Sequence, residues 1–153
     1  MSEAIAEKDF AKVKELVQDG ANVNLHNVET GITPLSTAAT YDHVEIARFL
    51  LEHNARVSEA NRDGNTALHV AAFFCYFEFV ELLLENEASV SSKNNNDRTP
   101  IDVVSEPWSR EISGFYRGIA EVTGLQLDLE RIKRDRPKMT KLLREYAKEK
   151  GSK

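Results

Sequence analysis

Few side chains in this sequence could do covalent or metal chemistry, and they are scattered. The four histidines, His26, His43, His53 and His69, do not form a His-Glu-x-x-His pair, the spacing that puts two imidazoles on one helix face around a metal. The single cysteine, Cys75, stands among aromatic residues, with no basic neighbour in sequence to favour its thiolate. Alone it forms neither an internal disulfide nor a thiolate zinc cluster. No nucleophile elbow, phosphate loop or carboxylate pair occurs. The expectation is an absence of catalytic residues, metal ligands and cofactors.

A second group of residues could bind charge. From Arg131 to Lys153 the chain carries ten Lys/Arg and three Asp/Glu, a surplus of +7, whereas the whole chain is −5, leaving −12 on the remainder. Arg131, Lys133, Arg134, Arg136, Lys138, Lys141 and Arg144 could hold an anion, a nucleic acid or an acidic partner. Against nucleic acid stand the acidic total, the lack of interleaved aromatics and the lack of a known binding motif. A solvated charged face is the favoured reading of such a run. The bulk composition, 41% apolar and 29% charged, is that of a globular rather than a disordered chain. No apolar stretch approaches the roughly 20 residues of a membrane helix. The first residues lack a basic start followed by an apolar core. With the lone cysteine, this gives the cytoplasm as the expected compartment.

The elements that position these residues come from an internal repeat. Gly31-Ile32-Thr33-Pro34-Leu35 recurs as Gly64-Asn65-Thr66-Ala67-Leu68 and again as Asp97-Arg98-Thr99-Pro100-Ile101, a spacing of 33. Ala38-Ala39 returns as Ala71-Ala72, Phe49-Leu50-Leu51-Glu52 as Leu82-Leu83-Leu84-Glu85, and Ala55-Arg56-Val57 as Ala88-Ser89-Val90. A partial copy, Leu16 to Asn24, lies upstream. Thr33 and Thr66 can cap a helix, and Pro34 suits its first turn. Leu35, Ala38 and Ala39 give a narrow apolar stripe that a second helix can approach closely. That second helix carries Val44, Ile46, Ala47, Leu50 and Leu51 in one copy and Phe77, Phe79, Val80, Leu83 and Leu84 in the next. Polar, turn-rich segments separate the copies, with Asp63-Gly64 as a tight-turn signal.

A 33-residue unit of two helices and a hairpin, with Thr-Pro-Leu near its start, resembles the ankyrin repeat. The resemblance covers residues 2 to 104, and the last helix rejoins it. It implies an all-α solenoid of stacked helix-turn-helix units joined by β-hairpin loops. Here the family's glycine between the helices is Asp42 and then Cys75. The glycine after the second helix is Gly20, then Asn54, then Glu87, where a strained or differently bent loop is expected. The resemblance also makes His69 a structural residue that bonds between neighbouring turns.

One domain, 1–153, is expected: an N-terminal capping repeat (1–27), repeats at 28–60 and 61–94, and a last repeat (95–153) with a helical insertion at about 105–135. The inward face of the first unit would be Ile5, Phe10, Val13, Leu16 and Val17. In the insertion, Ile112, Phe115, Tyr116, Ile119 and Val122 have helical spacing. Asp128 can cap a short turn with Leu129 and Ile132, and a further helix would start at Pro137 and bear Met139, Leu142, Leu143 and Tyr146. Its polar face, Lys138, Lys141, Arg144 and Lys148, would close the stack.

The family's usual contact surfaces are hairpin tips and the concave helix face. On them the resemblance places the candidate partner-binding residues Tyr41, Arg62, Asp63, Asn65, Phe73, Phe74, Asn95, Asn96 and Arg98, to which the aromatic Trp108 of the insertion is added. Stacking would set Tyr41 beside Phe74. Adjacent phenylalanines at normally solvated positions suggest a binding surface. The competing arrangement, which is favoured, folds Trp108, Phe115 and Tyr116 back over Phe73 and Phe74. The expected function is binding of another protein. The alternatives are anion or nucleic-acid binding through the basic C-terminal helix, and a small-ligand or enzymatic pocket between insertion and groove.

Overall fold

The computed structural model of the chain describes residues 1–151; Ser152 and Lys153, at the end of the expected last repeat, lie outside them. Helices pair as α1 (Ser2–Ala6) with α2 (Phe10–Gln18), α3 (Pro34–Thr40) with α4 (Val44–Glu52), and α5 (Ala67–Phe74) with α6 (Phe77–Glu85). The last unit joins α7 (Pro100–Ser105) to α9 (Leu129–Gly151), with α8 (Arg110–Thr123) between them. The short helices α1, α3, α5 and α7 stack side by side as an inner row, and α4 packs on α6 in the outer row.

The repeat letters account for this. Thr33 and Thr99 accept from the backbone N–H three residues on, at 3.1 and 3.2 Å. The side chain at that third position reaches back to the cap: Asp102 Oδ2 accepts from Thr99 N–H at 2.9 Å, and His69 Nδ1 from Thr66 N–H at 3.2 Å. Each cap satisfies N–H groups that a helix start leaves open. Ala38, Ala39, Ala71 and Ala72 are wholly buried, so the inner helices lie close together. Ile46, Leu50, Phe79, Val80 and Leu83 fill the space beneath the outer row. At the start, Ile5 and Val13 are buried, while Phe10, Leu16 and Val17 are partly so, and Phe10 meets Phe49 edge-on at 5.5 Å.

Two details differ from the sequence expectation, and a third decides between two alternatives. The joining loops are turns rather than strands; among the described residues the one isolated bridge pairs Ala60 with Thr66. Of the two expectations for the loop at Glu87 the strained one holds: Asp42, Asn54, Cys75 and Glu87 all take the left-handed conformation, with φ of 55, 66, 56 and 64°. The repeat geometry thus overrides a preference worth about 1–2 kcal/mol per residue. Pro137 does not start a helix but lies inside α9, which runs from a cap at Asp128 (Arg131 N–H to Oδ1, 2.9 Å). Ile132, Met139 and Leu143, all fully buried, hold that continuous face against the inner row. Three such burials at about 1.5–3 kcal/mol each outweigh the roughly 3 kcal/mol that an internal proline costs.

Candidate functional site

Each tip is fixed by the next. Arg62 N–H donates to the Thr30 carbonyl at 3.0 Å, and one repeat later Asn95 N–H donates to the Asp63 carbonyl at 2.9 Å. Asn95 Nδ2 adds a bond to the Arg62 carbonyl (2.7 Å), and Asn94 Nδ2 one to Asn65 Oδ1 (2.8 Å). This contact needs glycine. A Cβ on Gly31 would lie 2.8 Å from Arg62 N, and one on Gly64 would lie 2.7 Å from Asn95 N. Both glycines also have positive φ, 71 and 78°. The equivalent residue in the last copy is Asp97, φ 60°, which keeps the conformation without the glycine.

Of the tip residues singled out in sequence, Arg62, Asp63, Asn95 and Asn96 are exposed, and Asn65 is partly buried with its Oδ1 already bonded. Arg98 is committed: its guanidinium donates to the Asp102 carbonyl (2.9 Å) and pairs with Glu106 (2.5 Å). Its own carbonyl accepts from His69 Nε2 at 3.0 Å. Since His69 Nδ1 accepts from both the N–H and the hydroxyl of Thr66, the imidazole is neutral and protonated on Nε2. Burial holds its pKa below the ordinary value, which favours that form.

α8 lies over the C-terminal end of α5. Tyr116, fully buried, stacks on Phe73 at 4.1 Å, lies 6.1 Å from Phe74, and is covered by Trp108 at 5.6 Å. Phe74 is 2% exposed, so it offers a partner no surface, and Phe73 is half-buried. The helical face of α8 is narrower than its apolar letters suggest. Ile112, Tyr116 and Ile119 turn inward, whereas Phe115 and Val122 stand 64% and 89% exposed. Tyr41 does not reach Phe74; it stacks on His43, and its hydroxyl points to the Thr123 carbonyl at the end of α8 (3.5 Å).

Sequence reasoning missed what α9 does for this arrangement. Arg131 donates to the Phe74 and Cys75 carbonyls at 3.2 and 3.3 Å, capping the C-terminus of α5. Arg136, buried, donates to the Val103 and Glu106 carbonyls at 3.1 and 2.8 Å, capping α7. It also donates to the Tyr116 hydroxyl (3.0 Å), which in turn donates to the Phe73 carbonyl. Cations at two helix C-termini satisfy open carbonyls and oppose the helix dipoles. These two arginines are therefore structural rather than an open anion site. Arg134 and Lys138 share Asp135, and Lys141 lies 3.8 Å from Glu145.

Reactive groups do not converge. The Cys75 thiol is buried and pushed up to about 12, burial outweighing the nearby Arg136 and Arg131. Among the described residues no group of three or more His, Cys, Asp or Glu could hold a metal ion, and no helix is long and apolar enough to cross a membrane. A cleft of about 510 Å³ lies beside Trp108. Ser105, Glu106, Pro107, Trp108, Lys133, Arg136, Pro137, Thr140 and Arg144 line it, with no residue of α8, α3 or α5. The cleft lies at the junction of α7 and α9, where Ser105 to Trp108 and Lys133 of the expected insertion line it.

Comparison with known proteins agrees with this architecture. The family model for ankyrin repeats, in three copies, matches residues 1–94. Among solved structures, the ankyrin repeat domain of Bcl-3, described as a unique member of the IkappaB protein family, superposes with a TM-score of 0.64 at 27% identity. The match covers 76% of this chain and 50% of that one, so the chain spans about half the length of that structure. No curated protein matches it in sequence.

Proposed function

The chain belongs to the ankyrin repeat family, a scaffold for protein–protein interaction, and we propose that it is a non-enzymatic adaptor that binds a partner protein through its hairpin tips. The observation that carries this reading is the tip row itself. Cross-repeat bonds at 2.9–3.0 Å hold the backbone in place while Asp63 and Asn96 are exposed, and Arg62, exposed as well, donates from its guanidinium to the Val28 carbonyl at 2.5 Å. A surface already ordered loses little conformational freedom on binding. The concave face contributes less than in an open solenoid, because α8 already covers Phe73 and Phe74. Nucleic acid is disfavoured by the acidic total and by the engagement of Arg131, Arg134, Arg136 and Lys138 within the fold. The lone, buried thiol of Cys75 fits a reducing cytoplasm.

A photo-crosslinking residue at position 63 or 96, compared with one at position 48 on the exposed side of α4, tests the reading. Partner adducts from 63 and 96 and none from 48 are the expected result. Adducts confined to position 48 would place the partner on the outer helices and refute the tip assignment.

A further inference from the structure

The cleft beside Trp108 has a charge pattern that the repeat does not explain. On α9, Lys133, Pro137, Thr140 and Arg144 recur at steps of four, three and four residues and therefore share one face. Lys133 and Arg144 stand at the two ends of that face and are exposed. Among the described residues their side chains have no hydrogen-bond or ion-pair partner, in contrast to Arg131, Arg134, Arg136, Lys138 and Lys141. Between them the lining includes the apolar Val104, Pro107, Trp108 and Pro137, together with Ser105, Thr140 and the already engaged Arg136. The one acid in the cleft, Glu106, is neutralised by Arg98 at 2.5 Å.

We propose that this cleft binds an acidic peptide segment of a partner protein, in extended form, with a carboxylate for each of Lys133 and Arg144 and an apolar side chain between them against Trp108. The spacing argues for a peptide rather than a single small anion. Eleven residues of helix separate the two cations by about 16 Å along the axis. An extended chain covers that distance in roughly five residues at about 3.3 Å each. Two isolated cations on an acidic chain give too few contacts for a phosphate backbone, whose binding grows with each charge neutralised. The site is separate from the tips, and it shares with the tip reading only the premise that the ligand is a polypeptide.

The probe is a capped eight-residue peptide with glutamate at its second and seventh positions and leucine between them, titrated into the full chain by calorimetry and by Trp108 emission. The expected result is saturable binding that shifts the emission, weakens with salt, and falls by about tenfold or more in Lys133→Glu and in Arg144→Glu. Both residues are exposed, so these variants keep the fold, which circular dichroism checks. Asn96→Ala leaves the peptide affinity unchanged, so failure of the tip reading and failure of this one are distinguishable. Equal binding by the charge-reversed variants, absence of saturable binding, or equal binding of the same peptide with lysines for glutamates would overturn the proposal. Inorganic phosphate competing at equal affinity would make the cleft a small-anion site and overturn it also. A concentration-dependent dimer lost in Arg144→Glu would name a second copy as the occupant, with the same consequence.

Discussion

At Gly64 one tip lies against the backbone of the next, with Asn95 N–H on the Asp63 carbonyl; in the last described unit Arg131 and Arg136 of α9 reach back instead to the C-termini of α5 and α7. Both devices satisfy backbone groups at the edge of a unit, where an unpaired group is expensive. They differ in range. The tip device is built from neighbours one repeat apart and returns every 33 residues. The terminal device uses single long side chains from a helix reached only after an insertion. A regular solenoid can therefore be stabilised by repetition, whereas its end needs residues specific to that end.

Breaking the terminal device should have the largest effect. Arg136→Ala removes donors to two carbonyls and to the Tyr116 hydroxyl, and a loss of about 3 kcal/mol or more is expected from urea unfolding. Next comes the tip device. Gly64→Ala must place a Cβ 2.7 Å from Asn95 N at φ 78°, and should lose about 2–3 kcal/mol. Gly20→Ala has a similar φ, 88°, but nothing within 4 Å of its Cβ, and should lose only about 1 kcal/mol. Equal losses at the two glycines would show that contact between tips contributes nothing beyond backbone conformation.

Smaller effects sharpen the same contrast. Glu87→Gly relieves a left-handed glutamate, φ 64°, in a regular loop, and should gain about 0.5–1 kcal/mol in thermal melts, part of the relief being offset by glycine's entropy. Asp42, at the corresponding inner loop, couples to α9 through Arg131. Asp42 is exposed at the surface, and partial desolvation of its carboxyl raises the pKa to about 6 from 3.8, against the pull of Arg131. A raised carboxyl pKa means that the folded state binds the proton more tightly. Its stabilising share is full below 3.8 and is lost as the pH rises through about 6. Asp42→Asn should therefore melt like the parent in acid and above it at neutral pH; an equal offset at both would contradict the sign.

Much of the fold was legible because the repeat is local. Thr33, Thr66 and Thr99 start helices, the paired alanines are buried, and the Asp63-Gly64 turn lies where its letters suggest. The sites of difference share a cause. Phe115 and Tyr116 are adjacent aromatics, both compatible with an apolar stripe, yet one is 64% exposed and the other fully buried. Only the angle at which α8 meets Phe73 decides between them. Arg131 and Arg136 sit in a run of cations with no period that would set them apart from Lys133 or Arg144. Pro137 reads as a helix start because its local preference is strong, and the buried face of α9 overrides it. The tip residues were nameable from the turn chemistry. That Arg98 is tied to Glu106 was not, since Glu106 belongs to the departure of the insertion.

The packing of α8 over Phe73 and Phe74 is what turns attention from the groove to the tips, and Trp108, the only tryptophan, reports on it. Its emission and acrylamide quenching should be compared between the parent chain and Tyr116→Ala, which removes the ring that stacks on both Phe73 and Trp108. A blue-shifted, protected signal in the parent that moves to the red and quenches more readily in the variant is the expected result. A red-shifted, readily quenched signal that is the same in both chains would mean that α8 lies open in solution, and that Phe73, Phe74 and Trp108 form an exposed binding surface.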